Sequence, residues 1–167
     1  MFYTIADDLV FYQILTFIKK YSNSELKLYK YFHNKTEGIY PEFVIVIEQF
    51  IFFFVKNENY FDSKLYLNVM RREIRNRKIL IIRAENVLIN LLFSLFPDLY
   101  IHNISLKRND SSGQREISVY FLTYKERGIA IGRGAKYIKC VNELFKRYIR
   151  FENKSTPIEI KCKNINP

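Results

Sequence analysis

The sequence predicts a mixed α/β (α+β) fold, in which an α-rich N-terminal region precedes a segment of order α-β-β-α-α-β. Three observations predict it. Apolar residues recur at three- and four-residue spacing in 85–96 and again in 136–148. Between 101 and 123 they alternate with polar residues at period two, as strands with one face on a core do. A glycine-rich break, Gly128 to Gly134, stands directly before the second helical stretch. With 167 residues the chain suffices for one ordinary domain or two small ones, and 49% apolar residues exclude a wholly disordered chain.

The N-terminal elements follow from spacing and punctuation. Leu9, Val10, Ile14, Phe17 and Ile18 predict a helix from Asp7 to Tyr21, begun or capped by Asp7 and Asp8, with Lys19 and Lys20 at its C-terminal end. A second helix is expected from Ser24 to His33. Pro41 opens a third, through Val55, because proline is tolerated in a first helical turn. Its stretch from Phe43 to Val55 is apolar nearly all round, which predicts a buried helix, although Phe, Ile and Val suit a strand as well. That run has 13 residues, broken by Glu48 and Gln49, against about 20 for a membrane-spanning helix. Asn57, Asn59 and Asp62 mark a polar break. The run RREIRNRKILIIR, with Arg71, Arg72, Arg75, Arg77, Lys78 and Arg83 against Glu73, suggests a boundary and reads equally as a solvated face, a linker or a polyanion contact. No internal repeat is visible in the residues.

From Ala84 onward the pattern is more specific. Val87, Leu88, Leu91, Leu92 and Leu95 form a broad apolar face on a helix from Glu85 to Phe96, stopped by Pro97. A strand from about Ile101 to Lys107 follows, then a turn through Asn109, Asp110, Ser111, Ser112 and Gly113. In the next strand, Glu116 to Thr123, Ile117, Val119 and Phe121 share one face. After the glycine-rich break, Ile138, Val141, Leu144, Phe145 and Tyr148 define an amphipathic helix, leaving Lys136, Lys139, Lys146 and Arg147 for its exposed side. A last strand, Ile158 to Lys163, sets Ile158, Ile160 and Cys162 on one face.

Charge adds direction. The chain carries net +10, and that charge is uneven: residues 1–70 sum to −1 and residues 71–167 to +11. Such an excess suits a polyanionic partner, a nucleic acid or an acidic membrane surface. Phe, Tyr, Met, Ile, Asn and Lys make up 82 of 167 residues, a skew expected of AT-rich codons, so the placement of charge weighs more than its total. Two cysteines, Cys140 and Cys162, are too few for a disulfide framework, and no leader with a cleavage site opens the sequence. A cytosol-like compartment is expected, with an AT-rich plastid or other organelle as a further setting.

The wording GIAIGRGAKYIK, with the turn Ile131-Gly132-Arg133-Gly134-Ala135 followed by Ile138, resembles the KH RNA-binding domain, whose hallmark is an apolar-Gly-x-x-Gly turn between two helices. The element order resembles its type II arrangement. The segment looks most like the KH domains of NusA-type transcription elongation and antitermination factors, and the resemblance covers about residues 84–163. It implies an α-rich region of unknown role at 1–83, a KH domain at 84–163 and a tail at 164–167. It also implies a grip on single-stranded RNA, with backbone contacts from Ile131, Gly132, Arg133, Gly134, Ala135 and Lys136, outer help from Lys139, Arg127 and Lys146, and RNA polymerase as a neighbour. The loop of such domains clamps about four nucleotides while bases sit in an adjoining apolar groove, for which Ile129, Ile131 and Ile138 are floor or core. Physically, glycines admit a close strand and a helix N-terminus favours an anion. Ala135 departs from the family, which usually has its second glycine there; if the position needs positive φ, alanine is strained. Two alternatives follow: a ribosomal or ribosome-associated protein on rRNA, and a KH-fold protein-interaction scaffold that has lost RNA binding.

No catalytic role is expected. His33 and His102 lack the neighbours of a metal site, and Cys140 sits in a helix without a glycine elbow or an orienting residue, as a small hydrophobe would. Glu37, Glu42 and Glu48 lack the spacing of a calcium loop. Tyr120 and Tyr124 are read as ordinary surface tyrosines before base-stacking ones. No cofactor and no metal is expected.

Overall fold

A computed structural model describes residues 9–108, 111–152 and 158–165. The chain divides into two compact units, one of Ile18–Glu85, the other of Asn86 onward together with the segment ending at Phe17. The division after Glu85 lies two residues from the one expected after Arg83. Residues 9–17, however, group with the C-terminal unit. The helix expected from Asp7 to Tyr21 is replaced there by one helical turn at residues 9–11 and a strand, β1 (Leu15–Phe17), with Phe11 and Leu15 buried. Leu15 N–H bonds the Asn86 carbonyl at 2.8 Å, so partners distant in sequence overrode the helical spacing. The expected cap at Asp7 and Asp8 lies outside the described residues.

In the N-terminal unit, helix α1 (Asn23–Lys35) bears out the second expected helix. The third does not form. Strands β2 (Phe43–Ile47) and β3 (Phe50–Val55) make an antiparallel hairpin in its place, joined by Glu48 and Gln49, with Glu48 in a left-handed conformation at φ +53°. All six β3 residues are buried, because β3 is the middle strand with β2 on one edge and β4 (Lys78–Arg83) parallel on the other. A central strand covered on both faces and a wholly buried helix are both apolar without period; the β-branched and aromatic residues and the polar pair in the middle decide for the hairpin. Between β3 and β4 come a 3-10 turn (Asn57–Asn59) and helices α2 (Tyr60–Lys64) and α3 (Leu67–Glu73). The region is therefore mixed, not α-rich. Phe32, Ile51, Phe53, Met70 and Ile79 lie in its core.

In the C-terminal unit the expected order appears. Helix α4 (Leu88–Ser94) leads to β5 (Asn103–Arg108) and β6 (Arg115–Phe121), then α5 (Tyr124–Ile131), a 3-10 turn (Arg133–Ala135), α6 (Lys136–Arg147), the short β7 (Ile149–Phe151) and β8 (Ile158–Asn164). Strand β7 pairs antiparallel with β1. The main sheet runs β5-β6-β8, with β5 antiparallel and β8 parallel to β6. Ile117, Val119, Phe121, Ile160 and Cys162 point into the core as the alternation predicts, and Val141, Leu144 and Phe145 of α6 are buried too. Each such side chain contributes about 1.5–3 kcal/mol by leaving water.

The two units repeat one topology. In each, a helix precedes an antiparallel strand pair, two helices follow, and a third strand returns parallel to the second. The equivalence lies in strand pairing, which residue identities do not reveal, so the sequence showed no repeat.

Candidate nucleic-acid interface

Helix α5 starts at a capping box: Thr123 Oγ1 accepts from Glu126 N–H at 3.1 Å, and the Thr123 hydroxyl donates to Glu126 Oε1 at 3.1 Å. The T-x-x-E spacing at 123–126 encodes this start, and the expected elements, which ended a strand at Thr123, did not draw on it. The helix closes where Gly132 N–H bonds the Gly128 carbonyl at 2.9 Å. Three residues of the following turn have positive φ: Gly132 at +80°, Gly134 at +62° and Ala135 at +57°. The chain thereby reverses between two helices within four residues, and α6 begins.

What the glycines do differs between them. A Cβ at Gly132 would stand 2.8 Å from Tyr137 Cβ and 3.2 Å from Tyr137 N, so this position has no room for a side chain. A Cβ at Gly134 would meet nothing closer than Lys136 Cγ at 4.0 Å, so its surface is open. Tyr137 fixes the start of α6: its buried hydroxyl donates to the Leu95 carbonyl at the end of α4, and its ring packs edge-on against Phe96. Burial pushes its phenol far above the ordinary value. Sequence reasoning passed over Tyr137, although it lies four residues before Val141 and seven before Leu144, on the same helical face.

The turn gathers the expected residues in one place. Arg133, Gly134, Lys136 and Lys139 are exposed, while Ile131, Gly132 and Ala135 are half-buried. Lys146, also exposed, stands seven residues beyond Lys139, about 10 Å along the axis of α6. Arg127 is half-buried and its Nε donates to the Cys162 carbonyl at 3.1 Å, which anchors α5 to β8. Ile129 is 56% exposed and Ile138 half-exposed, so neither is sealed in the core. Tyr124 is exposed, whereas Tyr120 is half-buried with its hydroxyl 3.4 Å from Ser105 Oγ. The local chemistry is thus an open glycine backbone, uncovered aliphatic side chains and three exposed cations.

Cys140 and Cys162 are buried free thiols, and burial pushes Cys162 up to about 12, which suppresses its thiolate. His33 is stacked on Tyr40 with ring centroids 3.9 Å apart, and His102 meets Tyr100 edge-on. No group of three or more metal-ligating side chains occurs among the described residues. No helix among them is long and apolar enough to cross a membrane.

No protein-family model matches the chain, and no curated protein matches it. Among solved structures, the crystal structure of APE1850 is similar with a TM-score of 0.57 at 19% identity, over 86% of this chain and 99% of that one. Likeness at that identity concerns the fold, and the 86% of this chain that is covered exceeds either unit alone, so the likeness takes in residues of both.

Proposed function

We propose that the C-terminal unit is a type II KH domain and that the protein grips single-stranded RNA at the turn from Gly132 to Ala135. The observation that carries this reading is the conformation of that turn, with three positive-φ residues directly before α6 and Arg133, Lys136 and Lys139 exposed around it. Phosphates approach the open backbone at Gly134, where the dipole of the helix start favours an anion. The cations add attraction without sequence preference. Ile129, Ile131 and Ile138 then offer apolar contact to unstacked bases. The resemblance to NusA-type factors extends the proposal to transcription elongation or antitermination, on nascent RNA beside RNA polymerase.

The test is binding of the full chain to a random single-stranded RNA pool across a salt series, with Gly134→Asp as the control. Aspartate tolerates the left-handed conformation, so this variant adds a negative charge at modest strain. Three phosphate contacts give a slope of log K against log salt of about −2. Loss of binding in the variant supports the turn as the RNA site. Binding that is flat with salt, or unchanged in Gly134→Asp, overturns it. Sedimentation of the tagged protein separates the settings: polymerase fractions for transcription, ribosomal particles after a high-salt wash for a role on rRNA.

A further inference from the structure

The repeated topology gives the N-terminal unit a counterpart of the glycine turn, between α2 and α3, and that counterpart is built differently. The connecting residues are Leu65 and Tyr66, both in right-handed helical conformation, with no glycine. The chain therefore passes from α2 to α3 without a left-handed residue, and an apolar side chain stands at the connection. Leu65 is 77% exposed, Phe61 70% and Val69 37%. Their spacing of four residues along a nearly continuous helical path sets them on one face. Below them, Tyr60, Ser63 and Met70 are buried and hold the path to the sheet.

The segment that carries this stripe is basic. Between Tyr60 and Arg83 the sequence carries seven Lys and Arg residues against Asp62 and Glu73. The Arg83 guanidinium lies 5.3 Å from the Phe61 ring centroid and 4.1 Å from that of Tyr60. Arg71, Arg72 and Arg75 are exposed along and beyond α3. Glu73 is paired with Lys35 at 2.6 Å, and Glu37 is hydrogen-bonded to Tyr66 beside Leu65.

We infer that this stripe, Phe61-Leu65-Val69 in its basic segment, docks an acidic amphipathic helix of a partner protein. Apolar knobs at four-residue spacing fit the apolar face of such a helix, and its acidic flanks complement Arg71, Arg72 and Arg83. A nucleic acid is the less favoured occupant, because Leu65 and Val69 put exposed aliphatic carbon along the stripe, where a phosphate or a stacked base gains little. The inference stands apart from the RNA reading: the two units divide the work, one turn for a polyanionic strand and one for a helix.

The experiment is an NMR titration of the full chain with a designed 15-residue helical peptide, Leu at positions i, i+3, i+4 and i+7 and Glu on the flanks. A Lys-flanked version and an oligouridine serve as comparison probes. The expected result is saturable shifts at Phe61, Leu65 and Val69 with the Glu peptide alone. Leu65→Glu should weaken that binding at least tenfold while Gly134→Asp leaves it intact. Leu65 is exposed, so L65E is expected to keep the native melting temperature, and F61S reports independently on the same stripe. The inference is overturned if oligouridine shifts these amides and the Glu peptide does not, which makes the stripe an RNA surface. It is equally overturned if both peptides shift them alike, or if none of the probes does.

Discussion

Asn142 and Ile160 close the edge of the C-terminal sheet: Asn142 Oδ1 accepts from Ile160 N–H at 2.7 Å, and its Nδ2 donates to the Ile160 carbonyl at 3.0 Å. One amide on α6 thereby supplies the two partners that Ile160, in the edge strand β8, lacks on its outer side. The same Nδ2 also reaches the Ile138 carbonyl at 3.0 Å, which ties the first turns of α6 to the sheet. Asn142→Leu keeps the bulk and strands two polar groups of a buried residue, so it is expected to cost about 2 kcal/mol in urea unfolding and to speed hydrogen exchange at Ile160. Unchanged exchange there would show that the amide is dispensable.

Gly132 is fixed by sterics before any ligand is considered. Its φ of +80° and ψ of 167° fall in a region almost reserved for glycine, and a Cβ would press on Tyr137. Gly132→Ala should lower stability by about 3 kcal/mol, the sum of backbone strain and overpacking. Gly134→Ala meets no close atom and should cost only about 1 kcal/mol. Chemical denaturation of the pair measures the contrast; equal losses would mean that the turn rearranges.

Ala135 holds φ +57°, so the strain that its sequence position raised as a condition is present. Ala135→Gly should stabilise the unit by about 1 kcal/mol, since glycine relieves the left-handed conformation. RNA affinity is expected to stay of the same order. Binding that appears only in the glycine variant would instead make the natural chain a scaffold.

Glu116 on β6 sits between two lysines of β8, 3.0 Å from Lys161 Nζ and 3.3 Å from Lys163 Nζ. The hydrogen bond from Lys161 is the largest cause holding its carboxyl below the ordinary value of 4.5. A depressed carboxyl contributes stability that is full above its unfolded pKa and is lost as pH falls through the folded one. Melting temperatures of the natural chain and Glu116→Gln should therefore differ most near neutral pH and converge as pH falls below 4.5 and through the depressed folded pKa. A constant gap down to pH 2 would show that the effect is not ionic.

The C-terminal unit was legible because its elements are periodic and punctuated. The alternation Ile117, Val119, Phe121 and the face Val141, Leu144, Phe145 report burial on one side, and burial on one side is what a sequence pattern encodes. The hairpin of β2 and β3 was not legible as such. A strand covered on both faces has no period to read, and the chain there is apolar throughout. Nor did the spacing of Leu9 to Ile18 survive, since Leu15 and Phe17 found strand partners at Phe151 and Ile149.

At the candidate site the sequence by itself determined which residues stand together, because Ile131 to Lys139 are contiguous and the glycines permit the left-handed backbone of a tight turn before the helix. Only the tertiary structure decided what each of them does. Gly132 serves packing against Tyr137, Gly134 is open, and Arg127 is tied to Cys162 of β8. It also decided that residues 18–85 repeat the same strand order with a turn of the opposite kind, Leu65 and Tyr66 in place of glycines. Local pattern specifies an element and its buried face; which distant strand completes a sheet, and what that leaves exposed, depends on contacts that no short window of sequence contains.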